Sequence, residues 1–136
     1  MICWLPREGH FYVDRDAILA AIQWQRGFNV IHLATAWKFD IFMAGTSEFS
    51  KSELSRRRMT SSSITGLERI EFPVSSPEDT ILAKLVWFRK GGEVSDRQWQ
   101  DMLGIVRVQA ARLDREYLNL WATDLGVADL LTRLIP

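Results

Sequence analysis

The sequence contains one cysteine and two histidines, and this scarcity excludes several kinds of site. Cys3 alone can form neither an internal disulfide nor a multi-cysteine zinc site. No spacing joins His10 or His32 to Cys3 or to a serine as a catalytic triad. The chain also lacks a Walker-type loop and a dinucleotide-binding glycine motif.

Net charge and long apolar runs are missing as well. Lys+Arg and Asp+Glu both number 17, which argues against general nucleic-acid binding and against a polybasic membrane surface. No apolar run reaches the roughly 18 residues of a membrane span. The apolar start, 1–6, is too short for a signal-peptide core and is followed by Arg7 and Glu8. We therefore expect a cytoplasmic protein.

What is present fits a packed globule. The 136 residues are 47% hydrophobic and 25% charged, with six Trp and seven Phe for a core. We predict a single α+β domain over 1–136. Residues 1–75 are β-rich and predict a small twisted mixed sheet with one or two helices against it. Residues 76–136 predict a subdomain of about four helices.

Local signals place the elements along the chain. In order, they predict a strand at 11–13, a helix capped by Asp14 and ended by Gly27, a hairpin of 28–33 and 37–43, a short helix opened by a Ser50–Glu53 capping box, a loop at 60–66 and a proline-containing edge strand at 70–74. Ser76, Ser95 and Asp114 then predict the starts of three helices, and a last short one follows at 127–134.

Asp40 is the first candidate for chemistry. Period-two alternation places it with Lys38 and Phe42 on one face of an otherwise apolar strand. Carboxylates on adjacent strands can hold Mg²⁺. The alternative is an acid on the solvated face of a hairpin, paired with Lys38 or with a basic residue across the ladder.

Lys84 is the second candidate, because it falls within the apolar stripe of its helix. Such a lysine contacts a phosphate, pairs with an acid or snorkels from the edge of the stripe. On the next helix, Arg97 and Asp101 have the spacing of an exposed ion pair. The run 56–58 of three arginines is most simply a solvated helix end.

Three segments together resemble a known family. FNVIHLATAWKFDIFMAG (28–45), SELSRRR (52–58) and FPVSSPEDTILAKLVWFRKGGEVSDRQWQDMLGIV (72–106) are similar to bacterial nucleotidyltransferase-fold proteins of the minimal and abortive-infection-toxin-like kind. The third segment is the most specific. The resemblance implies Mg²⁺-dependent transfer of a nucleotidyl group from a nucleoside triphosphate.

The resemblance also implies roles for individual residues. Asp40 takes the position of the family's third metal-binding carboxylate, which is catalytic. Lys84 takes the position of the lysine that faces the triphosphate. Glu78, Arg97 and Asp101 match the polar nucleotide-binding positions around it.

The family's first motif, Gly-Ser followed by Asp-x-Asp, does not precede residue 28. Asp14-Arg15-Asp16 has the right letters but opens a helix and follows no glycine turn. We expect the motif upstream of Met1, and without it a nucleotidyltransferase-like chain that is degenerate or incomplete. The alternative is a non-catalytic interaction module or homodimeric scaffold, whose open sheet edge binds a partner protein or a second copy.

Overall fold

The computed structural model describes residues 10–62 and 70–136, which belong to two compact units. The first unit is Met1–Ser47 and the second is Glu48–Pro136. The sequence placed the change from β-rich to helical character at residue 75, and this point lies inside the second unit. Strands and helices occur in both units, so the described chain is α+β. A single domain over 1–136 stays a prediction.

The first unit consists of one helix and a small sheet. Its described elements are β1 (Phe11–Val13), α1 (Arg15–Trp24), β2 (Gly27–His32) and β3 (Trp37–Phe42). Asp14 caps α1 as predicted, because its side chain accepts from the backbone N–H groups of Asp16 and Ala17. Gln25, in the left-handed conformation with φ 49°, ends the helix. Gly27, predicted as the stop, begins β2 instead.

The sheet of the first unit is antiparallel, with strand order β1–β2–β3. The predicted hairpin is confirmed, and its register pairs Phe28 with Ile41 and Val30 with Phe39. In the turn, the side chains of His32 and Thr35 are hydrogen-bonded at 2.7 Å. Gly27 lies against Phe42, whose ring would stand 2.9 Å from an added Cβ atom. A larger residue at position 27 would therefore collide with the neighbouring strand.

The second unit is mainly helical. Its described elements are α2 (Glu48–Arg56), β4 (Arg58–Ser62), β5 (Ile70–Val74), α3 (Pro77–Lys90), α4 (Asp96–Gln109), a 3₁₀ turn (Ala110–Arg112), α5 (Arg115–Asp124) and α6 (Ala128–Leu134). The predicted caps are confirmed: Ser76, Ser95 and Asp114 accept from backbone N–H groups at the starts of α3, α4 and α5. Local sequence therefore determined where these helices begin.

Apolar residues from α3 form the centre of the second unit. Ile81, Leu82 and Leu85 are fully buried, and α3 packs against α4 and α5. The other buried apolar residues of this core are Phe49, Phe88, Met102, Leu118, Ala122, Val127, Leu130, Leu131 and Leu134. A close-packed core of this kind holds the ends of the helices, and the polar groups on them, in fixed positions.

Three further sequence predictions need correction. The predicted mixed sheet is wrong for the described residues, where every strand pair is antiparallel and the strands form two separate sheets. Residues 60–62 belong to β4 and not to a loop, because they pair with β5; the rest of that predicted loop lies outside the described residues. Ser50 lies inside α2, which begins two residues earlier at Glu48 and is therefore not opened by the predicted capping box.

Candidate functional site

Asp40 lies on β3 with its side chain 55% exposed. The ammonium of Lys38 is 3.3 Å from its Oδ1 atom, and the cross-strand neighbour is Asn29. This is the contact expected for an acid on the solvated face of a hairpin. Water screens such a pair strongly, so it contributes little to stability.

The residues around Asp40 do not fit a magnesium site. Mg²⁺ requires several oxygen ligands in near-octahedral geometry, and Asp40 offers one carboxylate that already faces an ammonium. Over residues 10–62 and 70–136, no three side chains of His, Cys, Asp or Glu are grouped as metal ligands would be. Mg²⁺ binding stays a prediction from the resemblance.

Lys84 and Asp101 are brought together by the packing of α3 against α4. Lys84 Nζ donates a hydrogen bond of 3.3 Å to Asp101 Oδ2, with both side chains partly exposed. The sequence paired Asp101 with Arg97 one helical turn away, and that pairing is wrong. The lysine reaches across from the neighbouring helix, because α3 lies close enough for its long side chain.

An open groove of about 560 Å³ lies beside this ion pair. Its lining comes from Ser75, the first turn of α3 and one side of α4: Pro77, Thr80, Asp101, Gly104, Ile105, Val108 and Gln109. Asp101 supplies the only charge on this lining, and the charge is negative. The groove by itself therefore does not attract a phosphate.

Glu78 is buried in the first turn of α3, and both of its carboxylate oxygens face groups of the chain itself. Oε1 accepts the backbone N–H of Asp114 at 3.0 Å, and Oε2 lies 3.5 Å from Arg56 Nη2. Burial acts to raise the pKa of Glu78. Hydrogen bonds from the backbone of Asp114, from its own backbone and from Ser76, together with the positive charge of Arg56, outweigh burial and lower the pKa. Glu78 thus connects α3 to α5 and to α2.

Asp79 forms the centre of a polar network that the sequence did not reveal. Its carboxylate is fully buried and accepts hydrogen bonds from the hydroxyls of Ser76 and Tyr117. Arg56 Nε lies 3.5 Å from Asp79 Oδ2, and the guanidinium stacks on the ring of Tyr117 at 3.8 Å. The spacing of Ser76 and Asp79 matches a capping box and was the one available signal.

Arg56 corrects the prediction that residues 56–58 form a solvated helix end. Its side chain is only 29% exposed and faces both Glu78 and Asp79. Arg58 belongs to β4. Of the three adjacent arginines, Arg56 is the one that ends α2 beside the first turn of α3, and its side chain is therefore partly buried.

Two further groups in this network have displaced pKa values. Burial and the hydrogen bond to Asp79 raise the pKa of Tyr117 to about 12, so its phenol keeps its proton at neutral pH. Burial also raises the pKa of Glu53, against the hydrogen bond that Ser75 donates to it. A protonated phenol that donates to a buried carboxylate connects helices; it is not placed to abstract a proton.

The sheet of the first unit carries an exposed apolar face. Alternation along β3 places Trp37, Phe39 and Ile41 on this face, with exposures of 68%, 43% and 39%. Their cross-strand neighbours on the same face include Phe28 and Val30. Because β3 is the last strand of the sheet, this face ends at an open strand edge in the described chain.

Comparison with known proteins finds no family model that matches the chain, and no curated protein or solved structure that is significantly similar to it. Within the described ranges, no helix has both the length and the apolar composition that a membrane crossing requires.

Proposed function

We propose that the chain is a non-catalytic polypeptide-binding module, and that the open edge of β3 pairs with a strand of another polypeptide. The observation that carries this proposal is the position of β3 at the end of the antiparallel sheet of the described residues, beside the exposed apolar face. Strand addition at such an edge is a common mode of peptide recognition, in which the backbone supplies affinity and alternate side chains supply specificity.

The exposed apolar side chains support a binding role. Trp37 and Phe39 lie on adjacent same-face positions of β3, with Ile41 beyond them. Single exposed apolar residues are ordinary on protein surfaces, but a contiguous apolar row at a strand edge is typical of an interaction site.

The polar residues implied by the family resemblance favour the same proposal. Asp40 pairs with Lys38, Lys84 pairs with Asp101, and Glu78 pairs with Arg56. Each of these charges thus faces an opposite charge of the same unit. A module that binds through its backbone edge needs none of them for chemistry.

Photocrosslinking in the 136-residue chain tests the proposal. Benzoylphenylalanine in place of Phe42 puts a photoreactive ring on β3, and the matched control places it at Leu120, which is similarly exposed on α5. We expect a polypeptide adduct from position 42 and not from position 120.

A proline at position 40 provides the decisive comparison. Proline removes one backbone N–H, and edge strands tolerate it where that N–H faces away from the sheet. We expect Asp40→Pro to abolish the adduct while the circular dichroism of the chain is retained. An adduct that survives Asp40→Pro, or one equally strong from position 120, contradicts strand pairing at β3.

A second candidate is triphosphate binding by a degenerate nucleotidyltransferase-like chain. The observation in its favour is that Lys84 and Asp101, two of the positions implied by the resemblance, are in contact. For Lys84 to hold a phosphate, it must exchange the carboxylate of Asp101 for the ligand. The resemblance adds Mg²⁺ at Asp40 and nucleotide contacts from Arg97.

Calorimetry with ATP or GTP and Mg²⁺ separates the two candidates. Triphosphate binding predicts a measurable affinity that is lost in Lys84→Ala and in Asp40→Asn. The matched control is Lys51→Ala, which removes an exposed lysine from an ion pair on α2. The absence of a heat of binding at millimolar nucleotide contradicts nucleotide binding. An equal loss of affinity in Lys51→Ala contradicts a specific role for Lys84 and Asp40.

A further inference from the structure

We infer that the strand which pairs with β3 is β3 of a second copy of this chain, antiparallel and centred on Phe39. This inference rests on the proposed function and names its partner. It follows from two properties of β3: which backbone groups face the open edge, and the order of the charged residues along the strand.

The hydrogen-bond pattern of the hairpin determines which groups face outward. Met43 N donates to Arg26 O at 3.4 Å, so residues 43 and 26 form a hydrogen-bonded pair. Antiparallel ladders alternate hydrogen-bonded and non-hydrogen-bonded pairs. The pairs Phe28–Ile41 and Val30–Phe39 therefore use the inner backbone groups of β3. The N–H and C=O groups of Lys38 and Asp40 point away from β2.

Outward-facing groups restrict the possible registers of a symmetric antiparallel pair. Hydrogen bonds form when outward residues of one copy face outward residues of the other. Two such registers overlap the strand almost completely. One is centred on Phe39 and places Lys38 opposite Asp40 of the second copy. The other is centred on Asp40 and places the two Asp40 carboxylates opposite each other.

Charge selects the first register. Around Phe39, each copy places an ammonium opposite a carboxylate at two symmetric positions, whereas around Asp40 like charges meet. The apolar face is compatible with this register, because Trp37 then lies opposite Ile41 of the second copy and the two Phe39 rings face each other. Strand β3 is thus complementary to itself, and a two-fold axis closes the assembly at a dimer.

Sedimentation velocity of two charge variants tests this register. Asp40→Lys gives a strand with two lysines, and Lys38→Asp gives a strand with two aspartates. Each variant alone places like charges at both cross-strand positions, and we expect self-association at least about tenfold weaker than in the wild type. In an equimolar mixture the opposite charges meet again, and we expect a heterodimer of about wild-type affinity.

The mixture of Asp40→Lys and Lys38→Asp distinguishes charge pairing between two copies from the ion pair within one copy. Lys38 and Asp40 also form an ion pair within a single chain, but each variant keeps its internal like-charge pair in the mixture. Only a contact between copies can restore association. The matched controls are Lys51→Asp and Glu48→Lys, which make the same charge changes on α2 and should not alter association.

A disulfide test is independent of these charges. In a Cys3→Ser background, Phe39→Cys places two thiols at the two-fold axis, in a non-hydrogen-bonded pair whose Cα atoms are about 4.5 Å apart. We expect a disulfide-linked dimer after mild oxidation. The control Trp37→Cys lies on the same face, but its two thiols stand about four residues apart along the paired strands and should not cross-link.

The outcomes separate this inference from the proposed function. A wild-type chain with the mass of one 15.7-kDa copy at tens of micromolar overturns self-pairing. A dimer that forms equally well in both charge variants, or a mixture that does not restore association, overturns the register. In either case the photocrosslink from position 42 decides whether β3 binds another polypeptide.

Discussion

Tyr117 on α5 donates a hydrogen bond to the carboxylate of Asp79 on α3. Asp79 is buried and lies 38 residues earlier in the chain. The same phenolic oxygen lies 3.0 Å from the hydroxyl of Ser52 on α2. One tyrosine thus connects three helices of the second unit. Arg56 stacks on the ring of Tyr117 and also lies beside Asp79. The buried carboxylate is therefore both hydrogen-bonded and close to a positive charge.

We expect Asp79→Asn to destabilise the second unit by roughly 2–4 kcal/mol. The substitution leaves Arg56 next to a neutral amide and disturbs the hydrogen bonds from Ser76 and Tyr117. Urea unfolding followed by circular dichroism at 222 nm measures this change. Asp124→Asn, at the exposed end of α5, is the control and should alter the free energy of unfolding by less than about 0.5 kcal/mol. Equal effects of the two changes would show that the network does not stabilise the fold.

Stability at high pH should depend on Tyr117. Its pKa is raised to about 12, so the folded state holds the phenolic proton more tightly than the unfolded state does. The resulting stabilisation is complete below pH 10 and is lost as the pH rises from about 10 to 12. Unfolding midpoints across this range should therefore fall more steeply for the wild type than for Tyr117→Phe. Absorbance at 295 nm should show a phenol that ionises near pH 12 in the wild type, and this ionisation should be missing from Tyr117→Phe.

Glu53→Gln should make the second unit slightly more stable at neutral pH. The raised pKa of Glu53 means that folding favours its protonated form, so ionisation above the unfolded pKa near 4.5 opposes folding. Glutamine is neutral and its side-chain oxygen can still accept from Ser75. We expect a gain below about 1 kcal/mol at pH 7 that disappears as the pH falls below 4.5. Denaturant midpoints at pH 7 and pH 4 give the comparison, with Glu71→Gln on β5 as control.

The contact between Lys84 and Asp101 should contribute little to stability. Both side chains are partly exposed, and water screens their attraction. In a double-mutant cycle of Lys84→Met and Asp101→Asn, we expect a coupling free energy below about 1 kcal/mol. A larger coupling would mean that the pair is held rigidly and would weaken the case for a lysine that exchanges its carboxylate for a phosphate.

Local chemistry explains which parts of the fold the sequence predicts. Asp14, Ser76 and Asp114 each cap the helix that follows through bonds to backbone groups two or three residues away. The contact of Asp40 with Lys38 is likewise local, since two residues on one strand share a face. Such features depend on neighbours in the chain and can be recognised without knowing the packing.

The buried network depends on residues far apart in sequence. Nothing in the run of three arginines distinguishes Arg56 from its neighbours, because only the packing of α2 against the helical core brings it to Asp79. The pair of Lys84 and Asp101 similarly requires α3 to lie beside α4. Strand β4 was missed because its Ser and Thr residues suit loops as well as ladders, and its partner β5 decides between the two.

The ion pair of Arg56 with Asp79 has a topological consequence. Arg56 ends α2 and Asp79 lies in the first turn of α3, so the pair joins both ends of the segment that contains β4 and β5. Entry to and exit from this hairpin are therefore fixed at one point, independently of how far the chain extends between them. Each doubling of a loop's length raises its closure cost by only about 0.6 kcal/mol. We therefore expect changes in the length of the segment between α2 and α3 to disturb the helical core little.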